Sequence, residues 1–275
     1  MSSAAGEADD MPTIDPKRIE IRPVRSKIEG VNDKAAGMVE GMLQKGRRYF
    51  GSSGALLTHQ IHSPEYQEKG VDKEAAKEVL KKVRKTTDFL REWVADKPNV
   101  VLVDSVRTHN WGEPKVNEDT GLVSGGYNDH VLIFGSEVVI LDTRDYGKKK
   151  VFTVGTEGEI LRSKKGFPGN ENTMDRMIQH WLNYLEAGAA LTGIIYLPGE
   201  ENSVFRNRNW YMQSFRIVEE DRFEALLNEK WKSVEDRERH EIDPTLISQV
   251  VVESIKPYDE FSKVLTDKAL SEFKK

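Results

Sequence analysis

Residues 127–147 read YNDHVLIFGSEVVILDTRDYG. Two β-rich apolar runs, Tyr127 to Phe134 and Glu137 to Leu141, are separated only by Gly135-Ser136, the short glycine-containing link of a tight antiparallel hairpin. Asp129 stands near the start of the first run and Asp142 at the end of the second, so a hairpin carries both carboxylates to one end of a sheet. The rest of the chain has to supply that sheet and its covering layers.

Upstream, Ala76, Val79, Leu80, Val83, Thr87, Leu90 and Val94 recur with the helical period, and Pro98 ends the run, which predicts an amphipathic helix over 73–95 with a basic outer face. Val100 to Val103 begins a strand. Downstream, Lys150 to Val154 reads as a short strand with a turn at Gly155 to Gly158. Asn172 or Thr173 caps a second helix whose buried stripe is Met174, Met177, Ile178, Trp181, Leu182 and Leu185. Leu191 to Leu197 is a strand stopped by Pro198-Gly199, and Trp210 to Val218 is a strand running into a helix over Glu219 to Trp231. Helix, strands, helix, strand, strand, helix is an α/β order, with a sheet flanked by helices.

The flanks read differently. Pro12, Pro16 and Pro23 forbid a continuous helix near the start, 33–50 is helix-compatible but interrupted by Gly37, Gly41 and Gly46, and GSSGALLTHQIHSP is loop-like. Beyond Lys232, Asp243-Pro244 supplies an N-cap and first residue for a short helix, and 259–273 is helical. The expected division is an N-terminal arm over 1–64, an α/β core over 65–232 and a helical C-terminal arm over 233–275, the arms adding little to the core and serving for packing or for protein partners.

Of the 275 residues, 32% are charged and the net charge is −5, so binding of nucleic acid has to use a local basic patch rather than the whole surface. Such a patch runs from Arg144 to Lys165, seven cations against three acids, and His109, Trp111 and Tyr127 are aromatic residues available for base stacking. The absence of cysteine excludes disulfides, thiolate metal sites and a thiol nucleophile. No apolar run approaches a membrane span and the start has no signal-peptide pattern, so the expectation is no membrane and a cytoplasmic, intracellular location, or a place in a virus particle.

Several motifs fail. Gly41 to Gly46 has P-loop spacing, but Arg47 and Arg48 stand where Lys and Ser or Thr are needed. His59 and His62 lie in a loop-like stretch without a third ligand in register and read as surface histidines. The hairpin carboxylates are the better candidates. Asp129, Asp142 and the Thr143 carbonyl are hard oxygen donors of the kind Mg²⁺ or Mn²⁺ prefers, and Arg144 shares a strand face with Asp142. Phosphodiester hydrolysis uses such a set, an ion to activate water and a cation against transition-state charge. The competing reading is an Asp at a turn paired with a surface Arg.

The run Asp129-His130, hairpin, Val139-Ile140-Leu141-Asp142-Thr143-Arg144 and then Gly147 resembles the nuclease-related domain, a branch of the PD-(D/E)xK nuclease superfamily, over roughly residues 70–230. The resemblance implies a restriction-endonuclease-like fold, a central mixed sheet flanked by helices, and metal-dependent cleavage of nucleic acid, DNA before RNA. By position Asp129 and Asp142 become metal ligands, and Asp129, Asp142 and Arg144 the catalytic set. Asp142 stands where the family has Glu, Arg144 where it has Lys, and Met174 where it has a helical Gln. A guanidinium stays protonated and holds phosphate but does not act as a base. In the first helix only Asp72 has the phase of the family's Glu, and an N-cap role also suits it. The reading from a different class is a degenerate nuclease fold kept as a structural or assembly module, or one that binds nucleic acid without cutting it.

Overall fold

A computed structural model describes residues 33–62, 64–107, 115–116, 121–124, 127–144, 151–154, 159–162, 168–170, 178, 181, 185, 189–199, 204–206, 215–235 and 241–251. The helices are α1 (Asp33–Gln44), α2 (Ala55–His62), α3 (Pro64–Glu68), α4 (Lys73–Val94) and α5 (Glu220–Glu235), followed by helical residues 244–251. The strands are β1 (Tyr49–Phe50), β2 (Val100–Arg107), β3 (Lys115–Val116), β4 (Val123–Ser124), β5 (Tyr127–Phe134), β6 (Glu137–Thr143), β7 (Val151–Val154), β8 (Glu159–Arg162), β9 (Pro168–Asn170), β10 (Ala190–Leu197), β11 (Val204–Arg206) and β12 (Phe215–Glu219).

The hairpin lies at the centre of a six-stranded mixed sheet in the order β1-β2-β5-β6-β10-β12. β5 is antiparallel to β2 and β6, whereas β1 is parallel to β2, and β10 is parallel to β6 and β12. The carboxyl ends of β2, β6 and β10 therefore meet the start of β5, which is where Asp129 and Asp142 sit. Gly135, at the hairpin turn, has φ 57°, a conformation glycine adopts without Cβ strain. A smaller sheet has the order β11-β7-β8-β9, and β3 pairs with β4.

Period-two alternation sorts the central strands between two apolar layers. Val101, Val103, Val131, Ile133, Val138, Ile140 and Ile195 face one side, where Val39 and Leu43 of α1, Ile178, Trp181 and Leu185, and Ile242, Leu246, Ile247, Val250 and Val251 cover them. Val100, Leu102, Leu132, Phe134, Val139, Leu141 and Ile194 face the other, under Leu90, Trp93 and Val94 of α4 and Phe223 and Leu227 of α5. The α/β expectation, a sheet with helices on both faces, holds at this level.

The expectation that residues outside 65–232 add little to the core is corrected for two segments. Tyr49 and Phe50 extend the central sheet, Val39 and Leu43 pack on it, and 242–251 is buried throughout. The physical reason is the uncovered apolar face, which the segment around 178–185 shares with these two. Asp243 caps the last helix as expected, its side chain accepting from the backbone N–H groups of Thr245 at 3.0 Å and Leu246 at 3.3 Å. The stretch read as loop-like contains α2, whose Leu57 and Ile61 bury against Ala76, Leu80 and Val83 of α4. The turn expected at 155–158, the start of the helix expected at 172–177 and the helix expected at 259–273 fall outside the described residues.

Candidate functional site: a buried carboxylate pair and its support

The register pairs His130 with Leu141 and Val131 with Ile140, and the next step outward brings Asp129 to Asp142. The two side chains replace the ladder at this end. The Asp129 N–H donates to Asp142 Oδ1 at 3.3 Å, and the Thr143 N–H donates to Asp129 Oδ2 at 2.8 Å. Asn128 Nδ2 donates to the same Asp142 Oδ1 at 3.3 Å, and Trp181 Nε1 fixes Asn128 by donating to its Oδ1 at 3.1 Å. Arg144 Nη2 donates to Asp142 Oδ2 at 2.9 Å, with the Arg side chain 34% exposed while both Asp residues are buried. Asp129 Oδ1 has no hydrogen-bond partner among the described residues.

A second polar cluster stands behind this pair. Asp104 of β2, fully buried, lies 2.8 Å from His130 Nδ1 and accepts from Thr87 Oγ1 at 2.9 Å and Tyr49 OH at 3.1 Å. His130 Nε2 is 3.5 Å from Thr143 Oγ1, which also donates to Thr86 Oγ1 of α4 at 3.4 Å. Thr143 thus connects the clusters, its backbone holding Asp129 and its hydroxyl facing His130. Ser105, next to Asp104, has φ 52°, a strained value for a residue with a Cβ, and its hydroxyl ties β2 to Ser52 O at 2.7 Å and to the Ala55 N–H at 3.0 Å.

These surroundings set the charges. Burial above all, and then the negative field of Asp142, raise the Asp129 pKa to about 7, while His130, Arg144 and the Thr143 N–H pull the other way. Burial alone would lower the pKa of His130. The contact with Asp104, followed by the fields of Asp129 and Asp142, more than reverses this and favours the imidazolium. The Tyr127 hydroxyl is pushed up by burial and then by Asp129, so it remains a phenol.

The hairpin brings Asp129, Asp142, Thr143 and Arg144 together. Asp72 is instead the N-cap of α4, accepting from the Glu74 and Ala75 N–H groups at 3.0 and 3.1 Å. The expectation of two surface histidines is corrected at His59, which is buried edge-on against Tyr66; His62 is exposed. His109, Trp111, Met174 and the basic run at 148–150 lie outside the described residues. Sequence reading missed Asp104, Asn128, Trp181 and the threonines of α4 as site residues. Asp104 does leave a trace, an acid inside the apolar strand VVLVDSV.

Among the described residues no group of three or more His, Cys, Asp or Glu side chains is placed to hold a metal ion, and no helix is long and apolar enough to cross a membrane. No protein-family model, no curated protein and no solved structure matches the chain.

Proposed function

We propose that the chain is a nuclease-related domain with a restriction-endonuclease-like core, hydrolysing phosphodiesters of nucleic acid, DNA before RNA, with Mg²⁺ or Mn²⁺ at Asp129 and Asp142 and an intracellular place of action. The observation that carries it is the burial of two carboxylates side by side at the hairpin end. Like charges in a buried site oppose each other's ionisation, and a divalent cation removes that opposition. The order α4, β2, β5, β6, helical 178 and 181, β10, β12, α5 supports the reading, because it is the order the resemblance implies.

The donor set suits Mg²⁺, an ion bound through one or two carboxylates that keeps several of its waters. Asp129 Oδ1 is open to it, whereas Asp142 has its oxygens engaged by Asn128, the Asp129 N–H and Arg144. Bound there, the ion would neutralise phosphate charge and make a water acidic. The chain's own residues do the rest. Asn128 and Trp181 orient Asp142, Thr143 orients Asp129, and Arg144, always cationic, turns from Asp142 to the phosphate. Position 144 carries Arg where the resemblance has Lys, so with a guanidinium there proton removal falls to solvent and turnover is slow and rises with pH.

The Arg144–Asp142 ion pair favours a second reading, since it satisfies Asp142 without any metal. On that reading the fold is a degenerate nuclease kept as an assembly module with protein partners, or binds nucleic acid without cleavage. The deciding measurement is nicking of supercoiled plasmid and of RNA with Mn²⁺, Mg²⁺ or chelator. Expected are slow Mn²⁺-dependent nicking, its loss in Asp142→Ala, and a rise of about a hundredfold in Arg144→Lys, the low end of a general-base contribution. Absence of cleavage by the wild type and by Arg144→Lys/Asp142→Glu would leave the second reading.

A further inference from the structure

The outward face of α4 carries a feature that neither carboxylate cluster uses. Lys77, Lys81, Arg84 and Lys85 recur at helical spacing and, with Leu80 and Asp88, line an open trough of about 440 Å³. Lys81 and Arg84 have no ion pair or hydrogen bond with any described residue. Lys77 is held only by exposed Glu74 at 2.6 Å, a weak surface pair. Glu74 and Glu220 pair with Lys77 and Lys85 at its ends and Asp88 lines it, so Lys81 and Arg84 carry the positive charge that makes the strip attract anions on a chain whose net charge is −5.

Its position gives the strip a meaning. Leu90, Trp93 and Val94 cover the sheet, and Thr87 meets Asp104, but Ala76, Leu80 and Val83 pack on α2 instead. The first half of α4 therefore runs toward the sheet end that holds Asp129 and Asp142, Lys77 lying about 15 Å along the axis from Thr87. Lys85 reaches that end directly. It pairs with Glu220 at 3.1 Å, and the other Glu220 oxygen accepts the Gly199 N–H at 2.6 Å, just past β10, whose Tyr196 lies beside Thr143. Met38 is the only exposed large hydrophobic side chain among the described residues, so these residues offer no stacking platform of the kind single-stranded nucleic acid uses.

We propose that the outer face of α4 is a docking surface for the phosphate backbone of a nucleic-acid duplex, gripped by Lys81 and Arg84, flanked by Lys77 and Lys85, and leading to the hairpin carboxylates. Its direction toward Asp129 and Asp142 rests on the nuclease reading; the grip itself requires no cleavage.

The test is fluorescence anisotropy of the full chain with a labelled DNA duplex of roughly 20 base pairs in chelator, across about 50 to 200 mM salt. Lys81→Gln/Arg84→Gln changes exposed side chains and should weaken binding about tenfold at the lower salt. It should also make the slope of log Kobs against log salt shallower by about 2, the loss of two phosphate contacts. Lys45→Gln/Lys232→Gln, an equal charge change at exposed positions elsewhere, should leave the slope as it was. Unchanged affinity and slope in the α4 variant, tighter binding of an oligo-dT strand than of the duplex, or equal binding of polyglutamate would each overturn the docking surface. Chelator separates the two questions. A plasmid that stays uncut although the duplex binds through α4 counts against the nuclease alone, and Mn²⁺ cleavage with unchanged binding by the α4 variant counts against the docking surface alone.

Discussion

At the residue scale, the charge of Asp129 is a burden on the fold. An ordinary carboxyl in the unfolded chain has a pKa near 4, and in the fold Asp129 is raised to about 7, first by burial and then by Asp142. Between these values the native state binds a proton that the unfolded chain has released, so this contribution to stability is complete below about pH 4 and is lost as the pH rises through about 7. Asp129→Asn keeps an oxygen for the Thr143 N–H and removes the charge. Thermal melts should show its stability relative to wild type rising from pH 5 to pH 8 by about 2–3 kcal/mol, or roughly 5–10 °C. An equal difference at both pH values would show that the charge of Asp129 is not the cause. That Asp129, Asp142 and Arg144 come together was legible because a hairpin's geometry is local. Asp104 was not, because its partners Thr87 and Tyr49 are 17 and 55 residues away and only folding makes them neighbours.

At the scale of elements, legibility followed the difference between the two faces of each element. α4 has a clean apolar stripe and an Asp cap, and its range agrees with the period to within a residue. α2 is only eight residues long, and buries polar His59 and Gln60 beside Leu57 and Ile61, so no stripe separates its faces. Glycine misled in α1, where Gly37 and Gly41 suggested interruption. The helix passes through both, and a Cβ at either would meet nothing within 4 Å. Gly51 is the opposite case. Its φ is +84°, and a Cβ there would lie 2.3 Å from the backbone oxygen of Asp104, so the chain crosses the Asp104 cluster only because the side chain is missing. Gly37→Ala should therefore stabilise the protein by roughly 0.5–1 kcal/mol. Gly51→Ala should destabilise it by about 3 kcal/mol, from strain plus overpacking. Urea titrations of both variants check the pair, and a stable Gly51→Ala protein would mean that β1 and β2 separate more easily than their contact suggests.

At the scale of the whole molecule, the sheet has two apolar faces, and among the described residues α4 and α5 cover one of them while Ile178, Trp181 and Leu185 are what 65–232 sets on the other. The other depends on Val39 and Leu43 and on Ile242, Leu246, Ile247, Val250 and Val251, all buried. The last five alone bury on the order of 10 kcal/mol of transfer free energy at about 2 kcal/mol each, comparable to the 5–15 kcal/mol by which a domain is stable. The sequence concealed this because Thr245, Ser248 and Gln249 are buried as well. A helix enclosed on every side has no polar face, and an amphipathic criterion passes over it. A fragment of residues 65–232 should consequently lack a cooperative melt by circular dichroism, with its sheet face exposed to solvent or to aggregation. A fragment of residues 33–251 should melt cooperatively, within a few degrees of the full chain. The decisive control is Leu246→Asp/Val250→Asp in the full chain, which leaves every residue present and spoils only the packing. If that variant and the 65–232 fragment both melt as the full chain does, the terminal segments rest on the sheet without holding it, and the core is the narrower one that the hydropathy pattern suggests.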